Sequence, residues 1–162
     1  MIMTNERVYY SIARQAYDDM KEDLEKNIRP KSNGAPGYVK SIDPEQNSFK
    51  NALICIVFNG IYLESILHIL IGKNLGIKKV KQLDNQIYEN KLIALDCKDI
   101  EILMETKRYR KVRKEIVHEK ALLTQEDIKV VQDEAKKSMK LIENIRNYFN
   151  INEIENYRRT FG

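Results

Sequence analysis

Between Asn5 and about Ile28 the apolar residues Val8, Ile12, Ala16, Met20 and Leu24 recur at four-residue intervals with Asp, Glu and Lys between them. This spacing predicts an amphipathic helix. Arg29 to Asn47 contains Pro30, Pro36 and Pro44 together with Gly34 and Gly37, which predicts a long loop over 29–47. Asp43 ahead of Pro44 is suited to cap the next helix, because its carboxylate accepts free backbone N–H groups and proline fits the first helical position. From Ala52 to Ile71 the chain is almost continuously apolar, but Asn59, Gly60, Glu64, Ser65 and His68 interrupt it. A buried central helix is expected there rather than a membrane span. Gly72 and Gly76 offer its stop, and Asp84 opens a shorter helix through Ile87, Leu92 and Leu95. Asp96 or Asp99 starts a further helix carrying Ile100, Leu103, Met104, Tyr109, Val112 and Ile116. Thr124, followed by Gln125, Glu126 and Asp127, reads as the cap of a last helix with Ile128, Val131, Ala135, Ile142, Ile145 and Phe149 on its apolar stripe. The expectation is an all-α antiparallel bundle of four to five helices with no sustained strand pattern.

The 162 residues fit one domain, 1–162, with a core over about 5–149 and a C-terminal extension at 150–162. An apolar fraction of 43% supplies that core and argues against disorder. Cys55 and Cys97 belong to no C-x-x-C or Cys/His cluster, so neither a zinc site nor a disulfide framework is indicated, and no cofactor is called for. The first residues, MIMTNERVYYSIARQ, lack a basic segment followed by an uninterrupted apolar core. No secretory signal is expected, and a cytoplasmic protein without a membrane partner follows.

The net charge of +4 changes the picture only through its placement. Six of the eight residues from Lys107 to Lys114 are Lys or Arg, whereas Asp18 to Glu25 is mostly acidic. A local basic stripe suits a polyanion such as RNA, although a solvated helix face has the same composition. His118 follows the stripe: arginine holds phosphate, and histidine moves protons near neutral pH. Glu64 lies in sequence among Leu63, Ile66 and Leu67, where a carboxylate needs a partner. His68 one turn later is the simple partner, and Arg113 the more informative one.

R-K-E-I-V-H at Arg113 to His118 resembles the R-x4-6-H signature of HEPN domains, a helical superfamily of ribonucleases and nucleic-acid-processing proteins. The order of elements is also similar over about residues 48 to 146: an apolar helix with Glu64, a variable middle, a basic approach to R-x4-H, and T-Q-E-D-I opening a last long helix. The resemblance implies metal-independent RNA cleavage, with His118 assisting attack of a ribose 2′-hydroxyl on the adjacent phosphate and Arg113 stabilising the charge that develops. Lys107, Arg108, Arg110, Lys111 and Lys114 then form the approach surface for RNA, either tRNA or mRNA, and Glu64 orients Arg113. Such an enzyme suits a toxin, abortive-infection or defence role, with an antitoxin or other regulatory protein as partner.

Five residues along a regular helix place Arg113 and His118 roughly 140° apart. Either the helix ends before His118, or the site is assembled across a homodimer, as is common in the family the motif resembles. The chain departs from the family pattern at Lys114, where active members often carry a small polar residue. It departs again at Lys120, where members paired with nucleotidyltransferase antitoxins often have tyrosine. The alternative is a catalytically silent helical module that binds RNA or a protein through the same basic surface.

Overall fold

A computed structural model describes residues 5–26, 28–40, 43–118 and 125–151. Its elements, in chain order, are α1 (Glu6–Lys26), β1 (Ile28–Pro30), β2 (Tyr38–Lys40), α2 (Asn47–Leu75), α3 (Ile77–Leu83), α4 (Tyr88–Ala94), α5 (Ile100–His118) and α6 (Gln125–Tyr148). The protein is thus all-α apart from one small antiparallel hairpin.

The core forms around α2. This helix is apolar on nearly every side, long and hydrophobic enough to cross a membrane, and Ile56, Leu63, Leu67 and Ile71 on it are almost fully buried. A helix of that kind must be surrounded. α1 packs antiparallel to it, with Asn51 bonded to Asp23 at one end and Tyr62 against Tyr10 at the other. α6 runs in the same direction as α2. Gln132 bonds Ser48, the Asn59 amide donates to Ser138 Oγ at 2.9 Å, and Arg146 donates to the Tyr62 hydroxyl at 2.7 Å. α5 is antiparallel to α6, as the Arg108–Glu134 pair and the bond from the Lys98 N–H to the Tyr148 hydroxyl show. It is pinned to α2 by the buried Tyr109 hydroxyl, which donates to the Ile56 carbonyl at 2.6 Å.

Several elements depart from the sequence pattern. Val8, assigned to the α1 stripe, is exposed, whereas Ala16 and Met20 of that stripe are buried, together with Ala13, which was not assigned to it. Successive steps of four residues drift about 40° each around a helix, so a strict four-spacing leaves the buried face within two turns. The expected loop over 29–47 contains the hairpin, with Arg29 opposite Val39 and Pro30 opposite Tyr38. Proline is tolerated there because the two strands are both edges. The helix expected from Asp84 starts later, as α4 at Tyr88, and α3, which ends just before Asp84, is a further short helix that the pattern did not predict. Gly72 is passed within α2, and Gly76, at φ 84°, ends it. On α5 the cap is Asp99, whose Oδ1 accepts the Ile102 N–H at 3.1 Å, and Ile100 and Met104 face outward. Thr124 and Lys120 lie outside the described residues.

Asp43 caps α2 from outside the helix. Gln46, at φ 56°, precedes the first turn and contributes no side-chain bond, while Asp43 Oδ2 accepts the Ser48 N–H at 2.8 Å and Oδ1 accepts the Glu45 N–H at 3.2 Å. Asp43→Ala is therefore expected to destabilise the fold by about 1 kcal/mol, and Asp43→Asn by less. Chemical denaturation measures this, and equal midpoints for the three proteins would show that the cap contributes nothing.

Candidate functional site

α5 has two opposed faces. Ile102, Thr106 and Tyr109 are buried and Arg113 is half-buried, at helix steps of four, three and four residues, and this face looks into the protein. Ile100, Met104, Lys107, Lys111 and Lys114 are on the other, more open side. No ion pair holds the three lysines among the described residues. The helix continues to His118, so it does not end before the histidine. Position 118 closes the helix on the backbone register of 107, 111 and 114, about 140° from Arg113. The His118 side chain lies outside the described residues.

Arg113 reaches inward to the middle of α2. Its Nη1 donates to the buried Tyr88 hydroxyl at 3.3 Å, and that hydroxyl in turn donates to the Gly60 carbonyl at 3.5 Å. The guanidinium lies against the backbone of Gly60: a Cβ at that position would meet Cδ of Arg113 at 2.6 Å and Cζ at 2.9 Å, and Nε closer still. Nε is buried and has no hydrogen-bond partner among the described residues. Burial pushes the Tyr88 hydroxyl above its ordinary pKa, while the Arg113 charge works in the opposite direction. The phenol therefore stays protonated. Glycine inside a helix costs about 0.5–1 kcal/mol relative to alanine. At position 60 its missing side chain is the space that the arginine occupies.

The other two arginines of the basic run differ from the expected open surface. Arg110 grips Glu89 through two nitrogens, Nε to Oε2 at 3.0 Å and Nη2 to Oε1 at 2.9 Å. Burial raises the Glu89 carboxyl, but the Arg110 hydrogen bonds and charge outweigh it and hold the carboxyl below the usual range. Arg108 is clasped by Glu134 of α6 and by Glu105, the latter at 2.9 Å. Both guanidiniums are held in structural pairs, and only Lys107, Lys111 and Lys114 remain as an open cationic stripe.

Glu64 also differs from expectation. Its side chain is 43% exposed, and its partner is neither Arg113 nor His68 but Lys91 on α4, whose own side chain is only 3% exposed. Lys91 also donates to the Asp84 carbonyl at 3.0 Å. His68 faces Asp84 at 3.7 Å. The buried charge that needs a partner is thus the lysine. Tyr88, Glu89 and Lys91, all on the two turns of α4, hold Arg113, Arg110 and Glu64 respectively. Sequence reasoning missed these three residues and Gly60 as parts of a site. A glycine within an otherwise bulky apolar helix was the available signal.

Comparison with family models, with curated proteins and with solved structures finds no match.

Glu64→Ala leaves Lys91 buried without its carboxylate and is expected to cost about 3 kcal/mol, whereas Lys91→Met keeps the volume and leaves Glu64 in water, at a cost below about 1 kcal/mol. Equal losses in thermal melts would overturn this asymmetry. Because folding lowers the Glu89 carboxyl, the stability it contributes is present above the ordinary glutamate pKa of about 4.3 and disappears as pH falls through the lower folded value. Glu89→Gln should therefore destabilise the protein at neutral pH and flatten the acid limb of stability against pH. An acid limb as steep as that of wild type would exclude this role for Glu89.

Proposed function

We propose that the protein is a HEPN-type, metal-independent endoribonuclease acting on tRNA or mRNA in the cytoplasm, in a toxin or defence setting where an antitoxin or other protein regulates it. The observation that carries this reading is the contrast among the arginines of α5. Arg108 and Arg110 are neutralised by carboxylates, whereas Arg113 has no carboxylate partner among the described residues and is held by a neutral tyrosine and a glycine backbone. A guanidinium so placed keeps its full charge for a phosphate. The stripe of Lys107, Lys111 and Lys114 supplies the charge that draws in the RNA backbone, and it leads in register to His118.

In this mechanism His118 accepts the proton of the ribose 2′-hydroxyl, the 2′ oxygen attacks phosphorus, and the P–O5′ bond breaks as the 5′ oxygen takes a proton. The products are a 2′,3′-cyclic phosphate and a 5′-hydroxyl. Arg113 stabilises the charge on the non-bridging oxygens. Because α5 is continuous through position 118, positions 113 and 118 stand about 140° apart on one helix, and in this reading a homodimer brings two motifs around one cleft. The same geometry also favours a second reading, a silent module that binds RNA or a protein, in which Arg113 is purely a packing residue and Lys114 belongs to the binding stripe.

Incubation with total RNA in EDTA, followed by mapping of new 3′ ends, tests the proposal. Cleavage with cyclic phosphate ends, lost in both Arg113→Ala and His118→Ala, is the expected result. Wild-type activity in either variant overturns the mechanism, and salt-sensitive binding without cleavage selects the silent module. Replacing Lys107, Lys111 and Lys114 together by alanine should weaken RNA binding and reduce the logarithmic salt slope by about 0.7 for each phosphate that is no longer neutralised.

A further inference from the structure

Gly60 and Tyr88 do something for Arg113 that packing alone does not require. An arginine entering the protein interior is ordinarily matched by a carboxylate, as Arg108 and Arg110 are. Glu64 stands one turn beyond Gly60 on α2, but it is committed to Lys91. Arg113 is thus fixed in direction by a hydroxyl and by shape, while no carboxylate among the described residues compensates its charge. The three heavy atoms nearest to a Cβ at position 60 all belong to Arg113, so the space left by glycine is specific to that side chain. Tyr88 in turn cannot follow the arginine if it moves, since it is 7% exposed and its hydroxyl also reaches the Gly60 carbonyl.

We propose that Gly60 and Tyr88 are positioning residues for Arg113, forming a neutral seat that aims an unpaired guanidinium at a substrate phosphate. This rests on the ribonuclease reading given above. The seat engages Nη1 through Tyr88 and Nε against Gly60, and Nη2 is the remaining nitrogen, the one assigned to the phosphate. Gly60→Ala is the informative change. Alanine favours the helix more than glycine does, so a loss of function from this substitution reports displacement of Arg113 rather than weakening of α2.

The experiment compares wild type, Gly60→Ala, Tyr88→Phe, Arg113→Ala and the Gly60→Ala/Arg113→Ala double variant. RNA cleavage in EDTA is followed at saturating RNA and at low RNA, and exchange of the arginine Nε–H groups is followed by NMR. Wild type should show a slowly exchanging Nε–H that is absent from Arg113→Ala. Gly60→Ala should lose that protection and lower cleavage at saturating RNA about 100-fold, the scale expected for a group displaced by roughly 1 Å. RNA affinity, set by the lysine stripe, should change little, and the double variant should be no worse than Arg113→Ala. Tyr88→Phe should show a smaller loss in the same direction, with faster Nε–H exchange.

A Gly60→Ala protein that cleaves like wild type, or that retains the protected Nε–H, overturns the proposal while the ribonuclease reading stands. If wild type neither cleaves nor binds RNA, the ribonuclease reading fails. The Nε–H result then decides the seat alone: protection lost in Gly60→Ala supports it, and protection retained rejects it.

Discussion

Burial of most of the apolar surface of α2 is the constraint on which the remaining architecture depends. A helix this apolar must bury most of its surface, so every other long helix lies against it, and each does so through a polar anchor as well as apolar packing. Asn51 ties it to α1, Asn59 to α6 and the Ile56 carbonyl to Tyr109 of α5. Each anchor places a hydrogen bond at the interface between helices, where an unmatched buried group costs about 1–3 kcal/mol, so these bonds select one register for the helices around α2. Apolar burial supplies the driving force, and the anchors choose among the packings it permits.

The anchors also determine which charges remain available. α4 is only seven residues long, yet it buries Tyr88, Glu89 and Lys91 between α2 and α5. Glu89 neutralises Arg110, Lys91 neutralises Glu64, and Tyr88 holds Arg113 without neutralising it. A basic run that looks uniform along the chain is thereby divided into structural arginines, an outward lysine stripe and one oriented guanidinium with no carboxylate partner among the described residues. The same short helix builds the fold and sorts its charges.

Much of the fold was legible because helix periodicity and caps are local. The buried central helix, the Asp99 start of α5, the Asp43 cap and the Gly76 stop all follow from side chains acting within a few residues of their own backbone. The hairpin at 28–40 was not legible, since its strands have only three residues each and proline and glycine dominate the segment. α3 was hidden for a similar reason: its seven residues are too few to impose a period. At the candidate site, the concentration of cationic side chains on α5 could be read from residue type and spacing. The pairing of Glu64 with Lys91 could not, because the two residues stand 27 apart and sequence neighbours offered closer partners.

The sequence by itself determined that the chain folds as helices around one apolar helix, and that cationic side chains concentrate on a single late helix ending in histidine. Those properties depend on composition and on a 3.6-residue period, which are present before any long-range packing forms. Only the tertiary structure decided which cations are free. Arg110 and Arg113 are three residues apart and chemically identical, yet one meets a carboxylate and the other a phenol and a bare backbone. The difference lies in what α2 and α4 bring to each position across the core, and no local pattern on α5 encodes it.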